Sequence, residues 1–181
     1  LTVTVDASET LSGNLNVGAG SLSDGVMYIF KYEVQQLAFD TFMVYPFSAG
    51  TGSYSFPSFP HGSYLIKVVP DSVIFPNLLS TYYGDAFRWD SATVINHNCT
   101  GPFVADINIQ ALLGGTGTGS ISGYIIEGDG FGTRLINHHD QIFVPGGPLK
   151  GVDVKLGKNP GGGIQARTMS DSTGHYGFDN L

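Results

Sequence analysis

The chain has 181 residues, 41% of them apolar and only 13% charged, so it can bury a core in one or two domains. The net charge of −7 comes from 15 acids against 8 scattered bases, which excludes a basic stripe for nucleic acid or anionic membrane. No apolar run approaches the ~20 residues of a membrane-spanning helix, and the single cysteine, Cys99, excludes an internal disulfide framework.

The 26 glycines, the many Tyr and Phe, and the shortage of charge favour short strands joined by polar turns. No run of helical period exceeds two turns, so an all-β chain is predicted. Leu1 to Val5 alternates with β-branched residues and reads as a strand, either closing a preceding domain or opening this one. Leu11-Ser12-Gly13 follows, then a turn at Gly18 to Asp24. Val26, Tyr28 and Phe30 are predicted to face inward. Met27 and Ile29 are apolar too, which marks this strand as central or covered on both faces. A strand around Ala38 to Tyr45 leads to a turn at Gly50-Thr51-Gly52. Tyr54/Phe56 and Tyr64/Ile66 then alternate on either side of Pro57 to Gly62, read as the turn of a local hairpin. Beyond Pro70 a long loop is expected, stapled to the core by Phe75, Leu78, Leu79, Tyr82, Tyr83 and Trp89. Val104 to Ala111 closes the domain, with Ile107, Ile109 and Ala111 inward.

Residues 113–119 form a Gly/Thr linker. Landmarks then recur in the same order. Ile121-Ser122-Gly123 repeats Leu11-Ser12-Gly13. Gly151, Val152, Val154 and Leu156 repeat Gly25, Val26, Tyr28 and Phe30, with Asp153 and Lys155 expected outward. Gly174, Tyr176, Phe178 and Leu181 match Gly52, Tyr54, Phe56 and Phe59 at identical spacing. Gly123 and Gly151 are separated by 27 residues where Gly13 and Gly25 are separated by 11, an insertion of 16 within Tyr124 to Pro148. A tandem duplication is predicted: domain one at 1–112 (1–7 able to belong to a preceding domain) and domain two at 120–181. The chain starts without Met and stops inside the second copy. It therefore reads as a mature, processed or partial product, with domain two lacking its last strands.

The runs PLKGVDVKL and ARTMSDSTGHYGFDNL resemble Cna-B and carboxypeptidase regulatory-like modules. The resemblance implies prealbumin-like or Ig-like β-sandwiches of the carbohydrate-binding-like fold. Domain one supplies Phe59-Pro60-His61-Gly62-Ser63-Tyr64 for the family's third motif. Domain two departs from the pattern in having Thr173 directly before Gly174. TYYGDAFRWDSATVI and GYIIEGDGFG resemble large secreted or surface proteins of Bacteroidetes, which implies type IX secretion, an outer-membrane-associated location, and O-glycosylation at Asp-Ser motifs. Ser72, Ser91 and Ser172 fit, and an ordinary Asx turn is the competing reading. Some modules of this kind bind calcium. Here Glu127, Asp129, Asp140 and Asp153 supply hard oxygen ligands, although EGDGFG has glycines where ligands should sit.

His138-His139-Asp140 lacks the convergent third and fourth ligands that zinc needs. The glycine runs lack both a following helix and a Gly-Lys-Ser/Thr ending, so they are not phosphate loops. No nucleophile elbow groups a Ser, His and Asp. Cys99 beside His97 reads as a loop thiol or half of a disulfide to an absent segment. Tyr82, Tyr83, Phe87 and Trp89 would stack on sugar rings, unless they staple the loop. A non-enzymatic structural or adhesive module of a secreted or cell-surface protein is expected, without a cofactor unless calcium. A carbohydrate-binding module is the second reading, and a filament subunit completed by a neighbour's strand is the third. The expected partners are other domains of the same chain, surface glycans or neighbouring copies.

Overall fold

A computed structural model describes residues 8–33, 38–98, 100–114, 117–128, 146–157 and 163–181. The predicted strand at Leu1 to Val5, and Cys99, Asp129, His138, His139 and Asp140, lie outside the described residues. Among those described, the chain is all-β: strands, one short 3-10 turn and no α-helix. It divides into two compact units, Leu1–Ala111 and Leu112–Leu181.

Unit 1 is a two-sheet sandwich. In one sheet, β1 (Ser8–Val17) pairs antiparallel with β2 (Gly20–Ser21) and β5 (Ser53–Pro60). It pairs parallel with β9 (Phe103–Val104) and β10 (Ile107–Asn108). In the other, β3 (Gly25–Glu33) lies between β4 (Ala38–Phe47) and β6 (Gly62–Pro70), and β7 (Thr81–Tyr82) and β8 (Ile95–His97) add to β6. Alternation along each strand sends one set of side chains between the sheets. Leu11, Leu15, Tyr54, Phe59 and Ile107 meet Met27, Ile29, Tyr64, Ile66, Val68 and Ile95 there, all of them buried. Each such side chain contributes roughly 1.5–3 kcal/mol of transfer free energy, most of it offset by the entropy of ordering the chain.

Three expectations are corrected in unit 1. The strand Gly25–Glu33 is central, but Met27 and Ile29 face the core while Val26, Tyr28 and Phe30 are half-buried on the other face. Five consecutive apolar residues carry no period, so only the neighbouring sheet decides the side. Pro57 to Gly62 is not a hairpin turn. β5 runs through Pro57 to Pro60, and only His61 separates it from β6, which belongs to the opposite sheet. The prolines are tolerated because β5 pairs only with β1 among the described residues, so their missing N–H groups can face the open edge. A register shift between Glu9 and Leu11 takes up the extra residue. The corner is filled by Phe59, whose ring packs against Phe42, Phe56, Tyr64 and His97 at centroid distances of 4.7–6.2 Å. Ala111, expected inward, is exposed, while Ala105, Ile107 and Ile109 are buried.

Unit 2 has two described pairs, β11 (Ile121–Tyr124) with β14 (His175–Phe178) and β12 (Asp153–Gly157) with β13 (Ile164–Met169). Ile164 and Phe178 are its buried apolar residues among those described. Val152, Val154 and Leu156 are half-buried, and so are Asp153 and Lys155, which were expected outward.

One backbone geometry occurs in both units. Leu15 N–H donates to Gly52 O at 2.6 Å, and Leu22 N–H donates to Leu15 O at 2.9 Å. In unit 2, Ile125 N–H donates to Gly174 O at 2.8 Å, and Leu149 N–H donates to Ile125 O at 3.0 Å. Gly52 and Gly174 have φ of +77° and +76°. A Cβ at either would lie 2.4 Å from a neighbouring heavy atom, so both conformation and space require glycine.

Candidate functional site

The four aromatics of the long loop do not form one platform. Tyr83 packs inward against the core and meets Phe103 at 6.3 Å. Tyr82, on β7, lies opposite Lys67, whose Nζ sits 5.8 Å above its ring, a cation–π contact that adds little in water. Phe87 is half-buried. Trp89 opens the 3-10 turn Trp89–Ser91 and is 61% exposed, so the expected staple role is corrected for it. The anchors are Phe75, Leu78, Leu79 and Tyr83. An Arg88–Asp90 ion pair spans the turn, with Arg88 Nε 3.0 Å from Asp90 Oδ1.

The acid set is brought together only in part. Asp153 Oδ1 accepts from Arg167 Nε at 2.7 Å, and Lys155 Nζ lies 3.5 Å from Oδ2. Desolvation lowers the Lys155 pKa below the ordinary lysine value, while the neighbouring Asp153 acts against that shift. A carboxylate already held by two cations is a poor ligand for a third. Glu127 is half-buried, and its backbone exchanges hydrogen bonds with Gly146 and Gly147. Among the described residues no three His, Cys, Asp or Glu gather around one point.

The Asp-Ser motifs form local turns. Asp71 Oδ1 accepts from the N–H groups of Val73 and Ile74 at 2.8 and 3.2 Å. Asp171 Oδ1 accepts from Thr173 N–H, Thr173 Oγ1 and His175 N–H at 2.7–3.0 Å, which lowers its pKa. Ser72 and Ser172 sit exposed on these turns. Ser91 is exposed as well, and its Oγ donates to Arg88 O at 3.2 Å. Two shallow crevices of about 290 and 360 Å³ flank Phe47 in unit 1. The second holds Asp24 and Asp71, but the Asp24 carboxylate is engaged by Ser23, Ser48 and Ala49, and that of Asp71 by the N–H groups of Val73 and Ile74.

The most specific arrangement lies along β1. The Tyr54 ring arches over Gly13, and its hydroxyl donates to Ala105 O at 2.6 Å in a buried site. A Cβ on Gly13 would stand 2.2 Å from that carbonyl oxygen and 2.9 Å from the Tyr54 hydroxyl. Burial pushes the Tyr54 phenol far above its ordinary pKa, and the charges of Asp106 and Tyr83 add to the shift. In unit 2, a Cβ on Gly123 would stand 2.8 Å from the Tyr176 hydroxyl. The repeats Leu-Ser-Gly/Ile-Ser-Gly and Gly-x-Tyr-x-Phe were legible as strings. Their pairing with each other, and with Ala105, was not. The signal was that both strings recur together.

Fold and site define an all-β protein of small units, with a filled strand edge in one and an edge to which no described strand pairs in the other. A streptococcal ancillary pilin matches 98% of this chain and 51% of its own length, at 11% identity and a TM-score of 0.42. The Bacillus anthracis TIE protein matches 95% of this chain and 26% of its own, at 10% identity and a TM-score of 0.38. The chain thus spans about half of the pilin and about a quarter of the TIE protein. No family model matches the chain, and no curated protein does.

Proposed function

We infer that the chain is a non-enzymatic structural module of a large bacterial secreted or cell-surface protein. The observation that carries this reading is the recurrence of one strand-pair geometry, Gly13/Tyr54/Gly52 and Gly123/Tyr176/Gly174, in two compact units. It supports reading the two units as successive copies of one module, divided at the 113–119 linker. Such arrays serve as stalks, fibres or adhesin shafts. The acids of the described turns are engaged by backbone and hydroxyl groups, which suits a scaffold better than a reaction centre. The finer context is a Bacteroidetes surface protein exported by type IX secretion, with Ser72 and Ser172 the better presented O-glycosylation acceptors, because the Ser91 hydroxyl is engaged. Calcium would have to rely on Glu127, Asp129 and Asp140 rather than Asp153.

A second reading, glycan binding, is favoured by one observation: Trp89 is 61% exposed on a tight turn. A glycan array and polysaccharide co-precipitation separate the two. The structural reading expects no specific binder. A polysaccharide retained by the native chain and lost in Trp89→Ala, with folding unchanged, overturns it.

A further inference from the structure

The two outer faces of unit 1 differ in chemistry. On the sheet of β1 and β5, the outward positions set Ser12 opposite Ser55, Asn14 opposite Ser53 and Asn16 opposite Asn108. Asn16 Nδ2 donates to Asn108 Oδ1 at 3.1 Å, and Asn14 Nδ2 donates to Asp106 Oδ1 at 3.0 Å. That is a solvated face, as one side of an antiparallel sandwich sheet ordinarily is. The sheet of β4, β3, β6 and β7 is apolar on both sides. Register and alternation set Val44, Tyr28, Lys67 and Tyr82 in one row across its outer face, and Pro46, Val26 and Val69 in the next. Phe30 continues the strip along β3, its ring 6.2 Å from that of Tyr28 and within 8° of parallel to it. Val44 is 51% exposed, and Pro46 is exposed as well.

The chain carries a net charge of −7, yet no acid occupies these two rows. Asp40 on β4 stands opposite Lys31, which has the core-facing parity of Met27 and Ile29. Two copies of an acidic chain meet with least repulsion where acids are absent. The rows are also self-complementary. A two-fold axis between β3 and β6, parallel to the strands, lays β3 of one copy over β6 of the other, and β4 over β7. Each Tyr28 then meets Lys67 of the second copy, each Val44 meets Tyr82, and each Val26 meets Val69. Lys67 Nζ already lies 5.8 Å above its own Tyr82 ring. The second copy's Tyr28 gives that ammonium another ring, so it does not face its own kind.

We propose that the outer face of the β4–β3–β6–β7 sheet is an interface between two copies of this chain, packed sheet on sheet about that axis. Four strands ~4.8 Å apart and about five residues along each give a flat area of roughly 300 Å². That is well under the ~800 Å² per partner of a standard interface, so a single pair is weak and reversible. The proposal deepens the structural-module reading and rests on it for its consequence: along an array, successive weak contacts reinforce one another and hold chains side by side.

Sedimentation equilibrium and an NMR dilution series of the full chain test it, from about 10 μM to about 1 mM, a range suited to an interface this small. The expected result is a monomer–dimer equilibrium, with amide shifts that follow concentration at Tyr28, Val44, Lys67 and Tyr82 and not at Asn14 or Ser55. Tyr28→Lys sets ammonium groups over one another and should weaken the dimer at least 10-fold or so, roughly the loss of two cation–π contacts plus repulsion. Lys67→Glu should weaken it in the same way. Mixed, the two variants should recover association, because the new Lys of one chain then meets the new Glu of the other. That recovery also shows both variants to be folded. A chain that stays monomeric at the highest concentration overturns the proposal. So does a dimer that both variants leave intact, or a mixture that associates no better than either variant alone. Shifts on this face caused by a soluble polysaccharide and not by concentration assign it to a glycan and overturn the proposal too. Polysaccharide retention that depends on Trp89 overturns the structural reading instead and leaves this interface standing, so the two failures are distinguishable.

Discussion

The Tyr54 hydroxyl ties two segments of unit 1 that are 51 positions apart. Tyr54→Phe keeps the ring over Gly13 and deletes one oxygen. The Ala105 carbonyl then loses that partner in a buried place where water does not readily replace it. The lost bond and the desolvated acceptor together cost about 1–3 kcal/mol, which lowers the midpoint of a unit this size by roughly 5–20 °C. Calorimetry measures the shift, and amide exchange in β1 and β5 assigns it to unit 1. Tyr176→Phe, whose hydroxyl has no partner among the described residues, should move unit 2 by less than about 0.5 kcal/mol. Alkaline pH gives a second reading. The folded-state pKa of Tyr54 lies above its unfolded value, so its contribution is complete below about pH 10 and is lost as pH rises further. Tyr54→Phe should flatten that alkaline loss. Equal midpoints for native and Tyr54→Phe, or an unchanged alkaline limb, would refute the reasoning.

Three further outcomes are expected. Gly13→Ala drives a methyl to 2.2 Å from Ala105 O and should cost about 1–3 kcal/mol in thermal unfolding or more, whereas Gly123→Ala meets only the movable end of the Tyr176 side chain and should cost less. Phe59→Ala empties the aromatic corner between the sheets and should cost about 3–5 kcal/mol in chemical denaturation, with β5 and β6 amides exchanging faster. Asp153→Ala leaves half-buried Arg167 and Lys155 facing each other and should lower the stability of unit 2 by about 1 kcal/mol. Adding calcium to the native chain should leave the Arg167–Asp153 contact intact by NMR.

The all-β fold was legible because strand alternation is local: Tyr54 with Phe56 and Tyr64 with Ile66 declare their faces within three residues. The facing of Val26 to Phe30 was not legible, because apolar residues fill both sides and the partner sheet lies elsewhere in the chain. Pro57 and Pro60 read as a turn because sequence alone does not reveal that β5 pairs with β1 alone among the described residues, which leaves an edge where an absent N–H costs little. Trp89 looked like an anchor by size. Its position on a three-residue turn, with Phe75 and Leu79 already filling the space beneath the loop, leaves it exposed. The tyrosine clamp depends on Ala105, which no local pattern distinguishes from other alanines.

The parallel pairing of β1 with β9 and β10 has a mechanical consequence. Ser8 opens β1 and Ala111 follows β10, at opposite ends of two strands that lie side by side. Tension between Ser8 and Ala111 therefore slides these strands lengthwise and loads their cross-strand bonds together, rather than peeling them apart one at a time. The buried Tyr54–Ala105 bond crosses the same seam. Under pulling force, unit 1 should give way at β1 all at once, at a rate set by its unfolding barrier rather than by its equilibrium stability.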